Sequence, residues 1–187
     1  MNIEISEVAN LPSRFGDFKV KAFKEGNKEH LVVYTENLPE VPTVRVHSEC
    51  LTGDAIGSLK CDCRDQLEYA LSLASKNEGM IIYLRQEGRN IGLLNKINAY
   101  ALQDKGLNTI EANHQLGFRA DERTYEVVTK ILHHFGIKKI KLLTNNPDKI
   151  NSISDIEIVQ RVPIIMDSNK HNEDYLNTKK DEMGHLI

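Results

Sequence analysis

What most constrains this fold is a change of hydrophobic period along the chain. The first third alternates as strands do, and from residue 65 onward helical spacing and short apolar runs take turns. Phe18, Val20 and Ala22 alternate with Asp17, Lys19 and Lys21, the pattern of a half-buried strand. Leu31–Tyr34 and Val44–His47 continue it, with Gly26-Asn27 and the Pro39/Pro42 region as breaks. From Asp65 to Lys76, Leu67, Ala70, Leu71 and Ala74 recur at helical spacing; Gly79 stops that helix, and Met80–Leu84 reads as a buried strand. Further helices are predicted over about Asn90–Lys105, ended by Gly106, and after Asp121, ended by Gly136. Lys139–Leu143 and Ile156–Val162 read as strands, Asn145-Asn146-Pro147 as a turn, and Glu173–Met183 as a polar helix. Strands first, then strands alternating with helices, predict an α/β fold: a mixed β-sheet with packed helices and a β-rich N-terminal part. The early strands read as antiparallel, and the later ones are open to parallel pairing.

A length of 187 residues supports one good core, so residues 1–187 are expected to form a single domain. No apolar run approaches the roughly 20 residues that span a bilayer. The stretch Met1–Asn10 carries acids where a leader would carry a basic and then an apolar region. A cytoplasmic protein with no membrane partner is expected. A formal net charge of −3 argues against nucleic acid as a partner. Any polyanion must be gripped by local clusters of Arg and Lys, which suits a small anion better than a long one.

Three cysteines fall between residues 50 and 63, with none elsewhere. An odd number in one short segment is no disulfide framework. Thiolates are preferred zinc ligands, and three protein ligands with an open position make the pattern of a catalytic zinc site. The flanking Glu49, Asp62, Arg64 and Asp65 separate this cluster from ordinary buried cysteines. His47, three residues before Cys50, offers a fourth ligand that would close the site into a structural one. Both readings stand at this point, and nucleobase chemistry fits the open one.

The text around the cysteines is specific. Arg45-Val46-His47-Ser48-Glu49-Cys50-Leu51-Thr52-Gly53-Asp54 and Cys61-Asp62-Cys63 resemble the zinc segment of GTP cyclohydrolase II, the first enzyme of riboflavin synthesis. The resemblance continues through residues 85–96 and 99–104, at Glu111-Ala112-Asn113, Leu116-Gly117-Phe118, Asp121-Glu122-Arg123 and Leu142–Pro147, and reaches Lys179 and Met183–Leu186. One departure is visible, Arg64 where the family usually has glycine.

The resemblance implies that Cys50, Cys61 and Cys63 hold one Zn²⁺ per subunit, and that a water activated there attacks C8 of guanine. Ring opening and a second hydration release formate, and pyrophosphate leaves as well. Tyr100 is implied as the general acid at the ring nitrogen. From spacing alone, behind Leu93 and Ile97, it reads as a core aromatic. Asp121 and Arg123 match the residues that remove pyrophosphate, as base and nucleophile. A guanidinium has no free lone pair, so stabilising phosphoryl charge suits Arg123 better. By position Asp121 also reads as a helix N-cap, itself a phosphate site. Arg45, Val46, His47, Ser48, Glu49, Gln66, Glu87, Gly88, Arg89, Thr109, Thr144 and Lys149 match GTP contacts, with Glu87 implied as reader of the guanine N1 and amino edge. Gly88 and Gly92 are expected to permit close backbone approach. Mg²⁺ is expected with the triphosphate. A homodimer is implied. Two rivals remain at this point: a homologue that stops at the formamide, and a non-enzymatic protein with structural zinc.

Overall fold

The computed structural model describes residues 3–186, so Met1 and Asn2 of the N-terminal stretch, and Ile187, lie outside the described residues. Strands β1 (Ile3–Ile5), β2 (Ala9–Ser13), β3 (Gly16–Glu25) and β4 (Lys28–Tyr34) come first, then β5 (Thr43–Ser48). A single-turn helix α1 (Leu51–Asp54) and α2 (Cys63–Asn77) lead into β6 (Gly79–Leu84), α3 (Gly92–Gln103) and α4 (Thr109–Gln115). The chain continues through α5 (Glu126–His134), β7 (Lys139–Leu143), α6 (Pro147–Ser152), β8 (Glu157–Val162) and α7 (Glu173–Asp181).

All strands join one eight-stranded sheet in the order β1-β3-β4-β6-β5-β7-β8, with β2 on β3. Pairings from β1 to β4, and of β4 with β6, are antiparallel; β5 runs parallel to β6 and β7, and β7 to β8. The expected mixed sheet is therefore present, antiparallel early and parallel late. The two-residue period of the strands sends side chains to two faces. Val32, Val44, Val46, Ile82, Ile140 and Leu142 meet Val128, Ile131 and Leu132 of α5. Val33, Ile81 and Leu143 meet Ala70 and Ala74 of α2 on the other side. At Gly79 the turn from α2 into β6 is so close that a Cβ would lie 2.7 Å from the Thr43 carbonyl oxygen.

Because β5, β6 and β7 are parallel neighbours, their carboxyl ends leave the sheet at one edge, where open α/β sheets build their sites. The segments that follow, from Glu49, Arg85 and Thr144, converge there.

Several local expectations are corrected. Asn145-Asn146-Pro147 opens α6 rather than making a plain turn: Asn146 caps it by accepting the Asp148 N–H at 2.8 Å, and Pro147 sits in the first turn. The helix expected from about Asn90 begins at Gly92, because Gly88, Arg89 and Asn90 take left-handed φ of 61°, 58° and 75°. Likewise α5 starts at Glu126 with Tyr125 as its N-cap, so Asp121 caps no helix. The stripe of Leu93 and Ile97 on α3 is surface, 42% and 46% exposed, with Leu94 at 76%. The inward positions of that helix are Lys96 and Ala99.

Candidate active site

Cys50 follows β5 directly, and Cys61 and Cys63 return to it at the start of α2. Between them α1 folds the chain tightly, with Asp54 N–H donating to the Cys50 carbonyl at 2.7 Å and Gly57 N–H to that of Gly53 at 3.1 Å. The three Sγ atoms lie within 4.8 Å of one another, Cys50 and Cys61 at 3.7 Å. Zinc–thiolate bonds of about 2.3 Å at tetrahedral angles set sulfurs about 3.8 Å apart, so the trio fits such an ion. Gly53 makes the room. A Cβ there would stand 2.8 Å from Cys61 Sγ and 3.1 Å from Cys50 Sγ. Bonding from Cys61 and Cys63 holds the Cys50 thiol far below its ordinary range, while Cys61 is pushed up to about 11 and Cys63 also upward. The cluster favours a thiolate at Cys50.

His47 is not a fourth ligand. Its buried ring turns Nε2 to Asp54 at 3.1 Å and stacks on Tyr83. Asp54 also accepts from Tyr83 Oη at 2.7 Å and from the Cys50 N–H at 3.0 Å, so it braces the ligand strand from behind. Among the described residues the metal-ligating group is the three cysteines alone, which leaves one corner of a tetrahedron to a non-protein ligand.

Tyr100 faces the cluster from α3. Its Oη lies 3.4 Å from Thr52 Oγ1, which is 3.8 Å from Cys50 Sγ. Burial pushes the phenol pKa above its ordinary value, so the group carries its proton at neutral pH. Its surroundings are polar and sulfur-bearing, not a hydrophobic core.

Glu87 holds the β6 loop against α1. Its Oε2 accepts from the Leu51 N–H at 2.6 Å, and its Oε1 from the Gly88 N–H at 2.8 Å and Lys96 Nζ at 2.7 Å. A carboxylate has about four acceptor positions. Three are used, leaving one for a base edge rather than the two that N1 and the amino group together require. Gly88 does allow close approach, since a Cβ would meet Lys96 Cβ at 3.0 Å, whereas Gly92 has open space around it and serves only its left-handed φ of 83°. The left-handed run is over-determined from outside: Glu122 N–H donates to the Arg89 carbonyl at 3.1 Å, and Asn90 Nδ2 to that of Glu122 at 3.0 Å. These bonds tie the loop after β6 to the segment carrying Arg123.

The other half of the site is cationic. Arg45 donates to the Leu143 carbonyl at 3.0 Å and to Gln66 Oε1 at 2.5 Å, and Lys149 Nζ donates to the Val46 carbonyl at 2.7 Å. Arg89 reaches the Ala120 carbonyl at 3.2 Å. Among the described residues, none of these three cations has a carboxylate at ion-pair distance, in contrast to Arg123 and Lys179. Burial, together with Arg45, Arg123 and Lys179, drives the Lys149 pKa well below its ordinary value. An anion placed beside it would favour the charged form again. Arg123 is gripped by Asp121 through Nε at 2.9 Å and through Nη2, while its backbone N–H also donates to Asp121 at 2.9 Å. Burial opposes the Arg123 charge, yet Tyr125 and Asp121 raise its pKa above an already high value. Burial likewise pushes Asp121 up, but the bonds from Arg123 outweigh it and leave the carboxyl below its usual range.

Both halves open into one cavity of about 580 Å³, a size usual for small-molecule sites. Of the predicted site residues, the cavity collects Arg45, His47, Ser48, Glu49, the three cysteines, Gln66, Glu87, Gly88, Arg89, Tyr100, Thr109, Arg123, Thr144 and Lys149. Two stand apart. The Val46 side chain is fully buried in the core and offers only its carbonyl, and Asp121 sits behind Arg123. Sequence reasoning assigned nothing to Lys96, Tyr175, Lys179 or His185, all of which line the cavity. Lys179 reaches Asp62 Oδ1 at 3.1 Å, between two of the cysteines, and lies 4.2 Å from the Tyr175 ring centroid. The Leu186 N–H donates to the Asn145 carbonyl at 2.9 Å, drawing the segment after α7 back to the site. Position alone gives no sign of this, although the resemblance reaches Lys179 and His185.

The sequence profile described as GTP cyclohydrolase II matches residues 4–163, which carry the cysteines, the left-handed loop and Arg123. The chain belongs to the GTP cyclohydrolase II family. A GTP cyclohydrolase-2 from Campylobacter hominis is 68% identical over 187 residues, covering 100% of this chain and 97% of that protein. One from Campylobacter fetus subsp. fetus is 65% identical, with 100% and 97% covered, and one from Helicobacter pylori 54%, with 99% and 98% covered. Against the usual GTP cyclohydrolase II pattern, Arg64 after the third cysteine changes nothing at the sulfurs. Its guanidinium turns outward to Glu68 at 3.1 Å. The cavity wall formed by α7 and the residues after it lies beyond the last profile-matched position, residue 163.

Proposed function

We propose that this chain is a cytoplasmic GTP cyclohydrolase II, which opens the guanine imidazole ring of GTP with release of formate and pyrophosphate at the first step of riboflavin biosynthesis. The observation that carries this reading is the meeting, in one cavity, of a three-sulfur cluster with a free corner and of the buried Arg45 and Lys149, which have no carboxylate at ion-pair distance among the described residues. Residues 1–187 act as a single domain in this account. Zinc held by Cys50, Cys61 and Cys63 supplies Lewis acidity and an activated water when bound.

The remaining work falls to the chain. Arg45, Arg89, Lys149 and Lys179 hold the triphosphate, and Mg²⁺ enters with it. Tyr100, neutral and beside Thr52, delivers a proton to the ring nitrogen that leaves as the ring opens. Arg123 stabilises charge on the phosphoryl group, and Asp121 fixes its planar fork. Glu87 keeps the loop after β6 in register with α1 and offers one acceptor to the base.

A homodimer is part of the proposal. Leu93, Leu94 and Ile97 form an exposed apolar stripe on α3, next in sequence to the left-handed loop. Sedimentation at micromolar concentration is expected to give a dimer, and Leu94→Asp a monomer; a monomeric native chain removes this part.

Incubating the purified protein with GTP and magnesium is expected to yield formate and pyrophosphate in equal amounts. Pyrophosphate with an accumulating formamide, and no formate, would instead identify a homologue that stops after ring opening.

A further inference from the structure

Among the described residues, Lys96 is the one ammonium of this site that touches sulfur. It is buried on α3, and its Nζ donates to Cys50 Sγ at 3.1 Å and to Glu87 Oε1 at 2.7 Å. It lies 5.7 Å from the Tyr100 ring centroid. Burying a charged lysine on a helix is costly, and here Leu93, Leu94 and Ile97 of the same helix are exposed while Lys96 is buried. Such an inverted pattern calls for a task at the sulfur.

A divalent ion bound by three thiolates carries a net charge of −1, and strong donation from sulfur weakens it as a Lewis acid. An ammonium hydrogen-bonded to one of those sulfurs offsets part of that charge, the rest of its own being met by Glu87, and draws electron density away from the metal–sulfur bond. Ligand-tuning contacts of this kind commonly change metal affinity or activity by about 10–100-fold when removed. From the geometry we propose that Lys96 is a positioning residue of the metal centre: it fixes Cys50 and Glu87 relative to each other and withdraws charge from the cluster. The inference rests on the metal-binding reading of the three cysteines.

Cobalt(II) substitution separates the two. The native chain is expected to take up one cobalt ion with an intense thiolate-to-cobalt charge-transfer band; failure to bind any overturns the metal reading itself. Lys96→Met keeps most of the stem but loses the charge and the donor, so with cobalt bound the band is expected to move to lower energy and turnover with zinc to fall at least tenfold. Lys96→Arg, which keeps both charge and donor, is expected to restore most of the band position. A loaded, folded Lys96→Met protein with the native band position overturns the role of Lys96. Should Lys96→Met fail to fold, the native chain still decides. With the metal bound, one lysine ammonium signal is expected to exchange slowly with water and to shift when zinc is replaced by cadmium. Absence of that signal counts against the proposal equally.

Discussion

Gly53→Ala is expected to lower the affinity for zinc by about 10–100-fold, the equivalent of the ~1–3 kcal/mol that overpacking costs, and to reduce turnover at limiting metal in parallel. The added Cβ would stand 2.8 Å from Cys61 Sγ, 3.1 Å from Cys50 Sγ and 3.1 Å from Cys63 Cβ. In the metal-free chain the two sulfurs are side-chain ends that can rotate away, so the apo protein should melt within a few degrees of the native one. Once an ion fixes both sulfurs, that escape is closed. The penalty therefore falls on the bound state. Competition against a chromophoric chelator measures it, and an unchanged zinc affinity would show that the pocket under the sulfurs is not shaped for a ligand set.

Arg123→Lys is expected to lower kcat by about 10²–10³-fold, the usual cost of losing one positioned donor to a developing oxyanion. It should leave most of the structural stability in place, because charge and burial are kept. Arginine spans Asp121 with two nitrogens and extends a third toward Ser48 Oγ at 3.4 Å, and lysine cannot repeat that fork. The raised pKa of Arg123 makes a neutral, nucleophilic guanidine less accessible than in free arginine. Quenching the reaction and mapping peptides by mass is accordingly expected to find no nucleotide on Arg123. A guanylylated Arg123 peptide appearing at the rate of turnover would mean that it attacks phosphorus after all.

The parts of the molecule legible in the sequence are those where one face of an element is apolar. Val32, Val46, Ile82 and Leu142 follow the two-residue period onto one face of the sheet and Phe18 onto the other, and α5 shows its buried Val128, Ile131 and Leu132 at helical spacing. The site was legible through residue type rather than period: three thiols in one short loop, and the long resemblance around them. Where sequence reasoning failed, the pattern itself was inverted or too short. On α3 Leu93 and Leu94 face outward and Lys96 inward, so from spacing alone Tyr100 reads as core. Helices α1, α4 and α6 have 4, 7 and 6 residues, too few for periodicity, and α6 is set by the Asn146 cap. The left-handed Arg89 and Asn90 are held by bonds to Glu122, contacts more than thirty positions away that no local propensity encodes. For the same reason the tail gave no hint that Lys179 reaches Asp62, 117 positions earlier.

Three sulfurs and one free corner are expected to do the first chemistry on the purine. Removing metal with a strong chelator, dialysing, and assaying formate release from GTP before and after adding zinc tests it most directly. The metal-free protein is expected to be silent, with activity returning in proportion to zinc and saturating at one ion per chain. Formate production at the full rate by a chain shown to contain no transition metal would contradict it.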